Sequence, residues 1–302
     1  MKSARLNLCL YIVAGALALI SGSVAIAQET PADYQAVLKE LGRSGDYKAN
    51  VLKVNVPRSD LHVVISGVAT PTPFGFGGWV ALTKGDGGND VMMGDLVLLQ
   101  EEVNPVMSAL LENGLEVTAL HNHFFWEEPR IFFMHVHGHG KALDLAKRIK
   151  PALDLIPRLP ATATSAAPAG PAFNLVALDN IVGSKGEALG PVYKFTLGRE
   201  DLNLKEHGAP INARMGLNSW AAFAGNEADA QIAGDIAMSE TEVAPVLKAL
   251  RAHKLNVVAL HHHMLGTQPV VIFLHYWGRG PAEELAVGFR AALDELGGNK
   301  HK

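Results

Sequence analysis

The chain carries one pattern twice, about 140 residues apart, and this restricts its fold more than any other feature. ALHNH at 119–123 returns as ALHHH at 259–263, and FFMHVHGHG at 132–140 returns as IFLHYWGRG at 272–280. Windows 117–140 and 257–280 share 10 of 24 residues, which fixes the offset. The same offset aligns Gly94, Asp95, Glu102 and Pro105 with Gly234, Asp235, Glu242 and Pro245. Shifted by one, it aligns Arg58, Asp60 and Trp79 with Arg199, Asp201 and Trp220, so a single-residue difference falls near Gly85 to Asp90. A period of this kind means one structural unit used repeatedly. The copies span 33–157 and 174–297, joined by a Pro/Ala-rich segment at 158–173 with the composition of an extended, solvated linker.

Periodicity gives the content of one copy. A short helix (ADYQAVLKELG, matched by FNLVALDNIVG) precedes strands near Val51–Val56 and Leu61–Ser66. After the FGFGG turn come a strand at Trp79–Thr83 and another in GDLVLLQ. EEVNPVMSALLENG reads as a helix, with acidic residues and Pro105 in its first turn and Gly114 as its stop. Leu115–His123 and Ile131–His137 read as two strands around a turn containing Glu127, Glu128 and Pro129. Lys141–Leu155 closes the copy as an amphipathic helix, with Leu143, Ala146, Ile149 and Leu153 inward. The expected class is α+β, two tandem repeats, each a largely antiparallel sheet with packed helices.

Residues 1–27 stand outside the repeat. Lys2 and Arg5 precede an apolar run from Leu6 to Ile20, and Ala25 and Ala27 form a small-residue cleavage site. This predicts a signal peptide, hence a periplasmic or secreted protein with no stable membrane span after cleavage. Cys9, the single cysteine, lies in the leader, so thiol chemistry is not expected of the mature chain. That chain would carry 24 basic and 30 acidic residues without a basic cluster, which removes the counterion-release drive for nucleic acid. A small molecule or a metal ion is the expected partner; oligomeric state is left open.

Histidine is the strongest chemical signal. Of 13 histidines, nine lie in two windows: His121, His123, His135, His137 and His139, then His261, His262, His263 and His275. Residues two apart on a strand share a face, so His121 and His123 project together, continuing the face of Val117 and Ala119. His135 joins them from the neighbouring strand if odd positions pair with odd. The trio His121, His123, His135 recurs as His261, His263, His275, while neighbours change: Asn122 to His262, His137 to Trp277, His139 to Arg279. Crowding and desolvation keep such rings neutral, the form that binds metal. Three imidazoles with an open fourth position suit zinc or copper. The ligand pattern, not the fold, resembles that of carbonic anhydrase. Whether the trios form one site or two stays open at this stage. The bland alternative is that the histidines complete hydrogen bonds in a polar core.

Asp95 and Asp235, in matched Gly-Asp pairs, and Glu102 and Glu242, opening matched helices, are possible additional ligands or bases, as are His137 and His139. Helix-end electrostatics is the favoured reading of Glu102, whereas Asp95 divides evenly between a structural and a functional role. Arg58 with Asp60, and Arg199 with Asp201, read as structural ion pairs, and Trp79 and Trp220 as core. His121, His123 and Glu127 look like half of a cupin signature, but Thr267 replaces the glutamate in the second copy. FGFGG lacks the lysine and hydroxyl of a P-loop.

The run GDLVLLQEEVNPVMSALLENGLEVTALHNH, then EEPR, then MHVHGHG, resembles the LppY/LpqO family of exported bacterial proteins. The resemblance covers nearly the whole mature chain, including GDIAMSETEVAPV and ALHHHML. It implies export and internal duplication, and supplies no reaction. The leading expectation is an exported metal-binding protein with strand-borne three-histidine sites, extending to metal-dependent hydrolysis if water occupies the open position. A metal-free periplasmic binding protein for a small ligand and a structural envelope protein are the alternatives.

Overall fold

The computed structural model describes residues 28–157 and 170–297. The expected leader, 1–27, and linker residues 158–169 lie outside the described residues. The first half runs α1 (Ala32–Leu41), β1 (Gly45–Lys48), β2 (Val51–Pro57), β3 (Val63–Ile65), β4 (Val68–Thr70), β5 (Gly77–Lys84), β6 (Asp90–Leu99), α2 (Gln100–Glu112), β7 (Glu116–His121), β8 (Glu127–Glu128), β9 (Ile131–Gly140) and α3 (Ala142–Asp154). The second runs α4 (Leu175–Val182), β10 (Glu187–Leu189), β11 (Val192–Gly198), β12 (Lys205–Glu206), β13 (Ala209–Pro210), β14 (Asn218–Gly225), β15 (Ala230–Ser239), α5 (Val243–Ala252), β16 (Asn256–His261), β17 (Val271–Gly280) and α6 (Ala282–Asp294). Each half builds a six-stranded sheet, in the orders β1-β2-β5-β6-β9-β7 and β10-β11-β14-β15-β17-β16, with antiparallel neighbours throughout. This is the α+β duplication expected. The offset changes between β5/β14 and β6/β15, at the turn where the sequence puts it.

Alternation gives every strand two faces. In the first half Leu52, Val80, Met92, Leu96, Met134 and Val136 point outward to meet Tyr34, Val37, Leu41, Val106, Leu110, Ile149 and Leu153 of the helices. Burying each such side chain contributes about 1.5–3 kcal/mol. The helix layer is closed by turns that need glycine: Gly42 (φ 56°) and Gly183 (φ 75°) cap α1 and α4 in the left-handed region. Two details depart from the sequence reading. Leu143 is 37% exposed and Leu145 is fully buried in its place, because the inward stripe of α3 runs through Ala142, Leu145, Ile149 and Leu153. Pro105 is the sixth residue of α2, past its first turn, whereas in the second half a 3-10 turn at Glu240–Glu242 places Pro245 within the first turn of α5.

The opposite faces of the two sheets pack on each other. Val91 and Met93 meet Met215, Leu217, Ala237 and Phe273, while Val97, Phe74, Phe76 and Phe133 meet Ala222, Ala233 and Trp277. Helices therefore lie outside and the sheets stack inside, sharing two mixed apolar clusters. Among the described residues no helix is long and apolar enough to cross a membrane.

Candidate metal centre

A β-bulge aims the histidines. Along β7 the register runs Glu116↔His137 and Val117↔Val136, then shifts to Ala119↔His135, Leu120↔Met134 and His121↔Phe133. The extra residue, Thr118, turns Val117 to the helix side with Val136 and leaves Ala119 and His121 facing the other sheet. Val117 thus does not share a face with His121, contrary to the alternation read from sequence. The same shift recurs between Val257 and Ala259. His123 also departs from expectation, since β7 ends at His121 and His123 stands in the following turn. Odd positions do pair with odd, as anticipated for His135. Its row across the sheet reads Trp79–Asp95–His135–Ala119, repeated as Trp220–Asp235–His275–Ala259.

Stacking the sheets merges the two trios into one cluster. Ring centroids lie 3.9 Å apart for His121 and His261, 4.0 Å for His135 and His263, and 3.5 Å for His123 and His275. Phe133 and Phe273 stack on His123 and His263 at 3.2 and 3.4 Å, and Thr118 Oγ1 donates to the His263 carbonyl at 2.8 Å. Three sets bring one ligand atom from each member within 4.8 Å of the others: His121, His135, His261; His121, His123, His275; and Asp235, His261, His263. The first two sets draw on both halves.

The protonation state follows from burial. His135 Nδ1 lies 3.3 Å from the Gly94 carbonyl and His275 Nδ1 lies 3.1 Å from the Gly234 carbonyl. A ring nitrogen facing a carbonyl carries the proton, so each Nε2 presents a lone pair to the cluster. Desolvation brings both rings down to about 3, and desolvation with neighbouring imidazoles holds His121, His123, His261 and His263 well below the ordinary histidine value. Both ring nitrogens of His121, His123, His261 and His263, and Nε2 of His135 and His275, are buried with no hydrogen-bond partner among the described residues. The carboxyls shift the other way. Burial raises Asp235 to about 8, and burial with the charge of Asp235 raises Asp95 well above the carboxylate range.

The other candidates go elsewhere. Glu102 and Glu242 bind Arg58 and Arg199 (2.6 and 3.1 Å) and accept from the Leu99 and Ser239 backbone N–H groups at their helix starts, so they are framework. Arg58 and Arg199 also hold Asp60 and Asp201, the structural pairs expected. His137 faces Glu206 at 3.0 Å and His139 stacks on His207 at 4.0 Å; neither joins the six-histidine cluster. Glu127 pairs with Ile65 across β3 and β8 and faces Arg130 at 3.5 Å, which disposes of the cupin half-motif.

A cavity of about 490 Å³ opens beside the cluster, reaching His123, His263, His275, Asp95 and Asp235. Its walls include Trp79 and Trp220, read from sequence as core, and Lys53 and Lys194, which sequence reasoning missed. A signal for the lysines exists: each is the third residue of a matched apolar strand, VLKVNVP and VYKFTLG.

The family model described as Domain of Unknown Function (DUF1259) matches this chain twice, over residues 35–155 and 176–295. No curated protein matches. Among solved structures, the trimeric bacterial microcompartment shell protein PduB is similar at 12% identity and a TM-score of 0.20, over 83% of this chain and 89% of that one. EtuB from Clostridium kluyveri is similar at 12% identity and a TM-score of 0.20, over 84% and 91%. The double-ringed trimeric shell protein MSM0271 from the RMM microcompartment gives 11% and 0.19, over 71% and 86%. TM-scores this low carry no argument about this chain.

Proposed function

We propose that this chain, which belongs to the family described as Domain of Unknown Function (DUF1259), holds a transition metal, zinc or copper, between its two sheets. The observation that carries the proposal is the set of buried imidazole nitrogens with no hydrogen-bond partner among the described residues. Leaving a buried polar group unsatisfied costs about 1–3 kcal/mol, so a cluster of this size calls for an electrophile. Neutral rings whose lone pairs converge from both halves offer what a divalent ion takes, and imidazole with carboxylate suits zinc and copper. Asp235 adds a carboxylate to one set, and an ion there would displace its proton.

The adjoining cavity supports a reaction class. It reaches His123, His263 and His275, so water and a small substrate have access to an ion held there. Zinc lowers the pKa of bound water to about 7, and metal-assisted hydrolysis is the reaction we propose. We further propose that the protein is exported, on the pattern of residues 1–27, and that it belongs with the LppY/LpqO proteins, on the motifs quoted above.

The test is elemental analysis of protein purified without an affinity tag, beside a His121→Ala, His123→Ala variant. Stoichiometric metal in the parent, lost from the variant, is the expected result. A parent without stoichiometric metal that also takes none up from zinc or copper solutions would sink the proposal.

A further inference from the structure

Lys53 on β2 and Lys194 on β11 occupy matched positions and both line the cavity between the sheets. Each ammonium lies over an indole, Lys53 Nζ 4.5 Å from the Trp79 ring and Lys194 Nζ 4.3 Å from the Trp220 ring. Neither ammonium has a salt bridge or hydrogen bond among the described residues, and the carboxyls whose charge reaches them act from farther away, Asp46 and Asp95 on Lys53 and Glu187 and Asp235 on Lys194. Arg214, a third cation in the wall, differs: it is paired with Asp46 at 2.7 Å. Burial and the nearby charges of Lys194 and Arg214 bring Lys53 down to about 8, and burial does the same to Lys194. An incoming anion would offset both the repulsion and the cost of burial by favouring the charged ammonium forms.

The walls say what kind of anion. The cavity places indoles, Pro73 and Leu189 alongside the two ammonium groups, and of the three carboxyls in its wall, Asp95, Asp235 and Glu187, burial holds the two aspartates towards the neutral form, which leaves two cationic points and apolar surface. A monoanion answers one lysine, and a compact inorganic oxyanion leaves the apolar surface unused. A volume of about 490 Å³ admits a whole small molecule. We infer that the cavity binds a small organic dianion of the dicarboxylate class, one carboxylate on Lys53 and the other on Lys194. The inference goes beyond the metal centre, with which it shares a cavity, and does not require an ion there, because the lysines and not the histidines supply the two cationic points.

Calorimetric titration of the full chain, stripped with chelator, with succinate and glutarate tests the inference. Acetate and sulfate serve as comparison ligands, and indole fluorescence gives a second readout. One-site binding of a dicarboxylate is expected, with acetate at least about tenfold weaker. Lys53→Met and Lys194→Met are each expected to weaken it about ten- to a hundredfold, the range for a hydrogen bond to a charged group, and lysine-to-arginine variants to restore part of the loss. Far-UV circular dichroism and thermal melts establish that the variants fold. No binding of either dicarboxylate by the parent at millimolar concentration would overturn the inference. So would binding undiminished in a folded double methionine variant, or sulfate binding as tightly as succinate. A His121→Ala, His261→Ala protein, altered at two cluster histidines outside the cavity lining, is expected to lose metal and retain dicarboxylate binding, which separates failure of this inference from failure of the metal reading.

Discussion

Asp235 in the second half accepts a hydrogen bond from the Leu274 backbone N–H at 3.1 Å and stands 3.5 Å from His263 Nε2 and 3.9 Å from His275 Nε2. Its counterpart in the first half, Asp95, has a buried carboxyl oxygen with no hydrogen-bond partner among the described residues. The halves thus place the same imidazoles at matched positions and surround them with different chemistry. Elsewhere a change of residue preserves the contact: the Asn122 side chain donates to the Ile131 carbonyl at 2.6 Å, and His262 Nδ1 reaches the matching Val271 carbonyl at 3.2 Å. His137, which faces Glu206 at 3.0 Å, becomes Trp277, whose indole N–H donates to Gln231 at 3.3 Å. Duplication supplied a symmetric cage of imidazoles, and divergence made one of its two acids an anchored partner for the rings.

Acid should break both halves together, with the largest effect. In metal-free protein His135 and His275 are held at about 3 against an ordinary 6.5, and the other four cluster rings are also depressed. Between pH 6.5 and 3 the unfolded chain binds more protons than the native one, so stability is present above 6.5 and is lost as pH falls. Each group contributes up to about 1.4 kcal/mol per pH unit while it titrates. Asp235 works in the opposite sense: raised to about 8, it binds a proton more readily in the native state, so its contribution is lost as pH rises from 3.8 towards 8. Melting temperature against pH should therefore drop steeply on the acid side and decline mildly towards pH 8, and Asp235→Asn should flatten the second arm. A flat acid side would contradict the buried neutral cluster.

Removing either framework arginine should cost about 3–5 kcal/mol, because each leaves carboxylates partly buried and unpaired. Arg58→Met and Arg199→Met are expected to shift urea midpoints by similar amounts, since both bridge a turn aspartate to a helix-start glutamate. The halves should separate at their glycines. Gly216 has φ 96°, and a Cβ there would lie 3.1 Å from Trp79 and 3.4 Å from His263. Gly75 is extended, and its Cβ would meet only the Phe124 ring closely, at 3.2 Å. Gly216→Ala should be the more destabilising by about 1–2 kcal/mol, the added strain of a left-handed alanine, measured by thermal melts.

The smallest contrast concerns the acids themselves. If Asp235 orients His263 and His275 or supplies a ligand, Asp235→Asn should weaken zinc binding about 10–100-fold, and Asp95→Asn by less. Competition with a chromogenic chelator would measure the difference. Equal losses would mean that the asymmetry has no bearing on metal.

Much of this was legible because the repeat fixes equivalent positions and strand alternation fixes sides. The two antiparallel sheets and the shift near Gly85–Asp90 follow from spacing, while the odd-to-odd pairing of His135, a condition in the sequence, is set by the register of β7 on β9. Leu143 and Val117 differ for local reasons, an inward stripe that keeps Ala146, Ile149 and Leu153 but begins at Ala142 and Leu145, and a one-residue bulge at Thr118, neither of which leaves a clear mark in apolar periodicity. Glu102 fits a helix end better than a ligand position from sequence, and the structure adds the Arg58 partner that the sequence does not assign to it.

The sequence by itself determined that the chain is one unit used twice and that each unit carries a histidine trio at matched positions, since both are properties of order along the chain. Tertiary structure decided that the trios make one centre and that Lys53 and Lys194 belong to one cavity. Those facts depend on how two sheet faces meet: residues separated by 140 positions become neighbours only when apolar surface left uncovered by the helices of one half is buried against that of the other.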